Sequence, residues 1–244
     1  MDTGSLEPRI VGVITARGGS RSVSKKNVAM VGGKPLIAWT IEAALQSRVL
    51  DWVIVSTDDR EIAEVSRRYG AEVPFMRPAE LAKDDSSHIS VMVHAIRWLE
   101  SHKPWRPEYM MLLQPTSPLR TKEDIQAAVQ MALEKQADSV VSVCLTRHHP
   151  YITIRIAEDG TLVDFMGNTP PHLDLRRQDF PPVYALNGAI YLTRRQTLLD
   201  QRTFYPLRTF PYVMPPERSL DIDDCWDLHL ANLIMESRDV SATR

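Results

Sequence analysis

Between Arg17 and Lys26 the chain carries four cations, Arg17, Arg21, Lys25 and Lys26, around Gly18, Gly19 and Ser20, and Lys34 adds a fifth with no acid intervening. Such a loop suits an anion. Glycine lets backbone N–H groups close on phosphate oxygens, while guanidinium and ammonium groups neutralise charge from the rim. It matches neither familiar phosphate fingerprint, lacking the three glycine positions of a dinucleotide loop and the Gly-Lys-Ser/Thr ending of a P-loop. The competing reading is a solvated basic turn. Near the other end, Asp221 and Asp223 stand two apart in Arg218-Ser-Leu-Asp-Ile-Asp-Asp224. In an extended segment their side chains share a face and can jointly hold a hard divalent cation with waters and phosphate oxygens. Alternatively, Asp223 or Asp224 caps the helix that follows. Gln114 sits in Leu112-Leu-Gln-Pro-Thr-Ser-Pro-Leu-Arg120, where two prolines fix a loop that either holds a polar group still or merely turns the chain. Ser56-Thr-Asp-Asp59 reads as a helix start, and His148 and His149 before Pro150, which could serve as ligands, read rather as a surface loop.

These groups need a scaffold that brings distant loops together. The apolar run from Ile10 to Ala16, bounded by the glycine loop, reads as a strand buried on both faces of a parallel sheet. Apolar spacing from Pro35 to Leu45 predicts a helix, Trp52 to Ser56 a second buried strand, and Ile62, Val65 and Tyr69 a second helix. A short strand is expected from Ala71 to Met76, a helix through Ile89, Val93, Ile96 and Leu99, and a strand from Tyr109 to Leu113. Thr121-Lys-Glu-Asp124 resembles a capping box, opening a helix through Leu133 that leads to a strand from Ser139 to Cys144. The alternation predicts a doubly wound, mostly parallel α/β sheet whose ligand crevice lies beyond the carboxyl ends of the strands. The rhythm breaks after residue 146. Tyr151 to Ile156 and Thr161 to Phe165 flank the turn signal Asp159-Gly160, and Gly188 to Thr193 reads as the return to the main sheet. Residues 147–186 are therefore expected to form a β-hairpin insertion in a single domain spanning 10–244, with residues 1–9 as a disordered tail.

Hydrophobic residues at 43% and charged residues at 25% suit an ordinary globular protein, and a net charge of -2 gives no field for nucleic acid. Asp2 and Glu7 interrupt any leader, and no stretch approaches the ~18 apolar residues of a membrane span, so a cytoplasmic protein is expected. The two cysteines, Cys144 and Cys225, are too few for a disulfide framework and read as free thiols.

Taken in order, these segments resemble the acylneuraminate cytidylyltransferases, also called CMP-sialic acid synthetases, over residues 9–236. The resemblance is carried by Ala16-Arg-Gly-Gly-Ser20 with Lys26-Asn27, Arg77-Pro with Leu81-Ala, Leu113-Gln-Pro-Thr-Ser-Pro-Leu-Arg120, Asn187-Gly-Ala-Ile-Tyr191 and Asp221-Ile-Asp223. It implies a Rossmann-like fold and transfer of CMP from CTP to an acidic nine-carbon sugar, with release of pyrophosphate. It also implies that Arg17, Gly18, Gly19, Ser20, Arg21, Lys26, Asn27 and Arg77 bind the nucleotide and that Gln114, Arg177 and Asn187 line the sugar end. Asp221 and Asp223 would hold Mg²⁺, and Arg17, Lys26 and Asp221 would carry the catalysis. The resemblance further implies a homodimer in which the 147–186 insertion reaches over the partner's site.

The chain departs from the family pattern at Ser24 and Arg21 in the loop, where the family has proline and lysine. It departs again at Ile152 and Ala185, where sialate enzymes carry cations. A less polar sugar tail, as in di-N-acetyllegionaminate, is the expectation that follows, with N-acetylneuraminate as the other candidate sugar. Two alternatives stand beside this reading, CTP-dependent activation of the eight-carbon acid 3-deoxy-manno-octulosonate and a non-catalytic sugar-nucleotide sensor.

Overall fold

The structure, a computed structural model, describes residues 9–19, 22–166 and 176–242. Its first strand, β1 (Ile10–Thr15), is buried along its whole length. A tight hairpin follows, β2 (Met30–Val31) and β3 (Lys34–Pro35), turned by Gly32 and Gly33, both at positive φ, and it leads into α1 (Leu36–Ser47). Next come β4 (Trp52–Ser56) and α2 (Arg60–Arg68), whose N-terminus is capped by Asp59 accepting from the Ile62 amide at 3.0 Å. The strand expected from Ala71 to Met76 is reduced to two single bridges, Ile54 with Glu72 and Thr57 with Met76. Pro74 stands between them and has no N–H to donate to a ladder.

α3 (His88–His102), capped by Ser87, runs into β5 (Tyr109–Leu113). α4 (Lys122–Lys135) opens on the capping box expected from its sequence: Thr121 accepts from the Asp124 amide while the Asp124 carboxylate accepts from the Thr121 amide. β6 (Ser139–Leu145) then leads to the insertion. The predicted hairpin is present but shorter, β7 (Ile154–Ile156) paired with β8 (Leu162–Asp164) about Gly160 at φ 84°. β9 (Tyr184–Arg194) is longer than the predicted return strand and is followed by α5 (Arg195–Asp200), β10 (Thr209–Met214) and α6 (Cys225–Ala242).

The main sheet has the order β10-β6-β9-β5-β1-β4. β1 pairs in parallel with β4 and β5, and β10 in parallel with β6, while β9 runs antiparallel between β5 and β6. Alternate residues of β1 serve opposite faces. Ile10 and Ile14 pack with Ile41 of α1, Ile62 of α2 and Ile125 of α4, whereas Val11 and Val13 pack with Met92, Ile96 and Leu99 of α3 and Leu198 of α5. Helices on both faces explain why these strands read as continuous apolar runs. Each fully buried aliphatic side chain contributes about 1.5–3 kcal/mol.

This topology fixes where chemistry can occur. The carboxyl ends of β1, β4, β5, β6 and β10 share one edge with the amino end of β9. The chain leaves β1 toward β4 on one side and returns to β5 on the other, so a crevice opens at the β1/β5 switch point.

Candidate active site

The loop after β1 is built to curl. Asn27, almost fully buried, donates its side-chain amide to the Arg17 carbonyl at 2.9 Å, and the Gly18 amide donates to Asp58 at 3.0 Å. A Cβ on Gly18 would lie 2.8 Å from an Asp59 carboxylate oxygen, so the close approach of the two loops requires glycine there. Arg17, Gly19, Lys26 and Asn27 line a polar cleft of about 230 Å³ together with Arg77, Gln114, Thr116 and Asp223. Ser20 and Arg21 lie outside the described residues.

The basic loop contributes fewer cations to this cleft than its sequence suggests. Lys25 pairs with Glu61 at 2.5 Å on the surface, and Lys34 pairs with Glu42 and rests 3.9 Å over the Trp39 ring, so neither lines the cleft. Arg77 replaces them from beyond β4. Its guanidinium donates to the Ser56 carbonyl and, at 3.1 Å, to the Ser56 hydroxyl, and burial pulls its pKa down to about 10.

Several cleft residues carry no signal in the sequence. Asp84 takes an ion pair from Arg17 at 2.5 Å across the cleft mouth. His88, the first residue of α3, sets its Nδ1 3.2 Å from the Thr15 hydroxyl, and burial of the ring with Arg77 and Arg17 nearby holds its pKa below the usual range. The one hint for this side of the cleft is the polar run before α3, which reads equally well as a helix cap.

A second, more apolar crevice of about 570 Å³ lies beside the first, lined by Leu145, Ala185, Leu186, Leu220 and Ile234 and by Asn187 and Asp221. The two meet at Gly188, where φ is 73°. A Cβ there would lie 3.1 Å from Asp221 Oδ2 and 3.3 Å from Gln114 Oε1. Gln114 therefore faces the cleft as expected, its backbone carbonyl held by buried Arg120, whose guanidinium also donates to the Ala189 carbonyl at 2.7 Å and the Thr40 hydroxyl at 2.6 Å. Asn187 lines the crevice, but its polar atoms are engaged inside the scaffold: Oδ1 accepts from Ser142 at 2.6 Å, and Nδ2 donates to Ser219 at 3.0 Å. Arg177 begins a single 3-10 turn, Arg177–Asp179, its side chain lying outside the described set, and Ile152 does not line the crevice.

The three aspartates of the C-terminal motif divide by role. Asp224 caps α6, its carboxylate accepting from the Trp226 and Asp227 amides at 2.8 and 3.0 Å. Asp223 is exposed, with its carboxylate 4.0 Å from the Lys26 ammonium, which also donates to the Ile222 carbonyl at 2.9 Å. Asp221 is mostly withdrawn from solvent, and among the described residues its Oδ1 has no partner. Burial, followed by the charges of Asp223 and Asp227, holds it above the usual carboxylate range against a hydrogen bond from Thr116 and the charge of Lys26. Two carboxylates beside a phosphate-sized basic loop, one with an orphaned oxygen, suit a hard cation that completes its shell with water and phosphate oxygens. No group of three or more metal-binding side chains occurs among the described residues.

His149 corrects an expectation. It is nearly buried rather than on a surface loop, with Nε2 3.1 Å from the Pro181 carbonyl, Nδ1 accepting from the Tyr151 amide at 3.1 Å, and its ring stacked on Phe180 at 4.6 Å. It ties the outgoing and returning arms of the insertion together.

The model of a family described as cytidylyltransferase matches residues 11–233. The chain belongs to the cytidylyltransferase family. It is 36% identical to the CMP-N,N'-diacetyllegionaminic acid synthase of Legionella pneumophila, over 93% of this chain and 97% of that protein. It is likewise 36% identical to the N-acylneuraminate cytidylyltransferase of Escherichia coli O18:K1:H7, over 96% of this chain and 54% of that protein. The pseudaminic acid cytidylyltransferase of Campylobacter jejuni is 30% identical over 94% of this chain and 97% of its own length. A solved CMP:2-keto-3-deoxy-manno-octonic acid synthetase complexed with CTP has the same fold, with a TM-score of 0.69 over 94% of this chain and 99% of that one at 17% identity. The resemblance read from the motifs and the mostly parallel α/β sheet are both borne out.

Proposed function

We propose that this cytidylyltransferase transfers CMP from CTP to the anomeric hydroxyl of a nonulosonic acid. The observation that carries the reading is the placement of Asp221 at the junction of a basic, phosphate-sized cleft and a larger, more apolar crevice. The anomeric oxygen attacks the α-phosphorus, the bond to the bridging oxygen breaks, and pyrophosphate leaves with that electron pair. Arg17, Lys26 and Arg77 neutralise the triphosphate from one side, Gln114 orients the sugar across the junction, and Asp221 accepts the hydroxyl proton, a role its raised pKa suits. Asp221 and Asp223 are the residues that would hold magnesium, which when bound would stabilise charge on the phosphate oxygens.

The apolar lining at Leu145, Ala185, Leu186 and Ile234 favours a sugar with a deoxy or acylated tail over a fully hydroxylated one. Diacetyllegionaminate is the sugar of that kind named for the Legionella relative, and it is the expected substrate here. The insertion exposes Ile154, Ile156, Leu162 and Phe165, an apolar face that a second copy of the chain would cover. No helix among the described residues is long and apolar enough to cross a membrane, and a cytoplasmic enzyme drawing on the CTP pool fits the reading.

The test is pyrophosphate release from CTP with diacetyllegionaminate, N-acetylneuraminate, pseudaminate and the eight-carbon octulosonate. Legionaminate is expected to lead N-acetylneuraminate by about ten- to two-hundredfold in kcat/KM, the range for burying one methyl group where the competitor strands a hydroxyl. Equal or better turnover of N-acetylneuraminate overturns the choice of sugar. Turnover of the octulosonate alone overturns the nine-carbon class, and none with any acid leaves the sensor reading.

A further inference from the structure

We propose that Arg218 is a positioning residue: by gripping the buried Asp124 it holds the Asp221–Asp223 loop at the spacing from Gln114 that a divalent cation and the attacking sugar require. This inference rests on the function proposed above. Arg218 stands three residues before Asp221 and lines neither the cleft nor the crevice. Its guanidinium closes on Asp124 as a fork, Nε donating to Oδ2 at 3.0 Å and Nη2 to Oδ1 at 2.8 Å. Asp124 is fully buried and is itself fixed, accepting from the Tyr212 hydroxyl at 2.9 Å and the Thr121 amide at 2.9 Å. The fork thus ties a surface loop to the first turn of α4, which packs on the sheet.

Beyond Arg218 the loop is tied again on the cleft side. Ser219 accepts from Asn187 at 3.0 Å, the Ile222 amide donates to the Thr116 carbonyl at 2.9 Å, and Lys26 donates to the Ile222 carbonyl at 2.9 Å. Asp221 lies between these ties with its Oδ1 unpartnered among the described residues, so the anchored backbone, together with the hydrogen bond from Thr116, sets where its carboxylate sits. A two-point salt bridge fixes direction as well as distance, which a single hydrogen bond or an apolar contact would not do.

The experiment measures Mn²⁺ binding by electron paramagnetic resonance in the presence of CTP, and CTP binding by calorimetry in EDTA, for the parent, R218Q, R218K, Y212F and D221N. R218Q is expected to weaken Mn²⁺ by about tenfold or more, within the range for a group that orients a ligand, while CTP affinity in EDTA stays within about twofold. Y212F also loosens Asp124 but leaves the Arg218 fork, and is expected to lower Tm with Mn²⁺ affinity unchanged. Parental Mn²⁺ affinity in R218Q, or an equal loss of CTP affinity in EDTA, overturns the proposal and leaves the fork a matter of stability alone. If R218Q does not fold, R218K, which keeps the charge and loses the fork, is judged by the same outcomes. D221N separates the two claims: if it too binds Mn²⁺ as the parent does, the metal reading has failed and takes the positioning role with it.

Discussion

Asp221 combines two demands that oppose each other. Burial holds its carboxyl above the usual range, so the folded state favours the protonated form more than the unfolded chain does, yet the metal binding and the proton abstraction proposed for it both need the anion. For an acid with a raised folded pKa, the stabilising contribution is present at low pH and is lost as pH rises from the unfolded carboxylate range through the folded value. Asp221→Asn is therefore expected to raise Tm at pH 7 in EDTA while lowering kcat by about a hundredfold or more. The Tm difference should close below about pH 4, where the unfolded carboxylate is also protonated. A D221N protein less stable than its parent at pH 7, followed by calorimetry, would contradict this balance. Asp124 has the opposite sign. Burial alone would raise it, but bonds from Arg218, Thr121 and Tyr212 outweigh burial and hold it below its ordinary value. Its contribution is present above the unfolded pKa and is lost as pH falls through the folded one.

Among the elements, those legible in the sequence are the ones whose pattern and burial agree. The β1 run, the Tyr109–Leu113 strand and the Thr121 capping box read close to their observed bounds because both faces of the sheet are covered and the cap is local. β10 is not legible: Pro211 argues against a strand, and it is tolerated only because β10 is the sheet edge. The site divides in the same way. Motif spacing brings Arg17, Lys26, Gln114, Asp221 and Asp223 to one edge, but no spacing rule can show that Lys25 and Lys34 turn to Glu61 and Glu42, or that Asp84 faces Arg17, because those pairings are set by tertiary approach. His149 reads wrongly for the same reason, its burial depending on Phe180, 31 positions along the chain. His149→Ala removes the ring stacked on Phe180 and the bond to the Pro181 carbonyl, which weakens the join between the two arms of the insertion. It is expected to speed proteolytic cleavage within 150–182 severalfold and to lower kcat/KM for the sugar, with CTP affinity unchanged. Limited proteolysis and calorimetry check both, and equal cleavage rates would show that His149 carries no such tie.

For the whole molecule, the exposed face of the insertion sets the expected assembly. Ile156 is 74% exposed and Leu162 66%, more than a lone two-stranded hairpin tolerates in water. If the parent is the proposed dimer, Ile156→Asp is expected to shift it to monomer in light scattering and to reduce turnover of the sugar more than affinity for CTP; a mass equal to the parent's would show that this face carries no assembly contact. The same insertion begins and ends on neighbouring rungs of one ladder. Leu145 of β6 pairs with Tyr184 of β9, and the Thr146 amide donates to the Val183 carbonyl at 2.9 Å, so the segment leaves the sheet and returns to almost the same point. Its ends are already held together by the strands, so altering its length adds little loop-closure entropy, which grows only with the logarithm of length. The phosphate loop and the aspartate loop hang from other strands. The length of the insertion can thus change at little entropic cost without displacing the strands from which Arg17, Gln114 and Asp221 project.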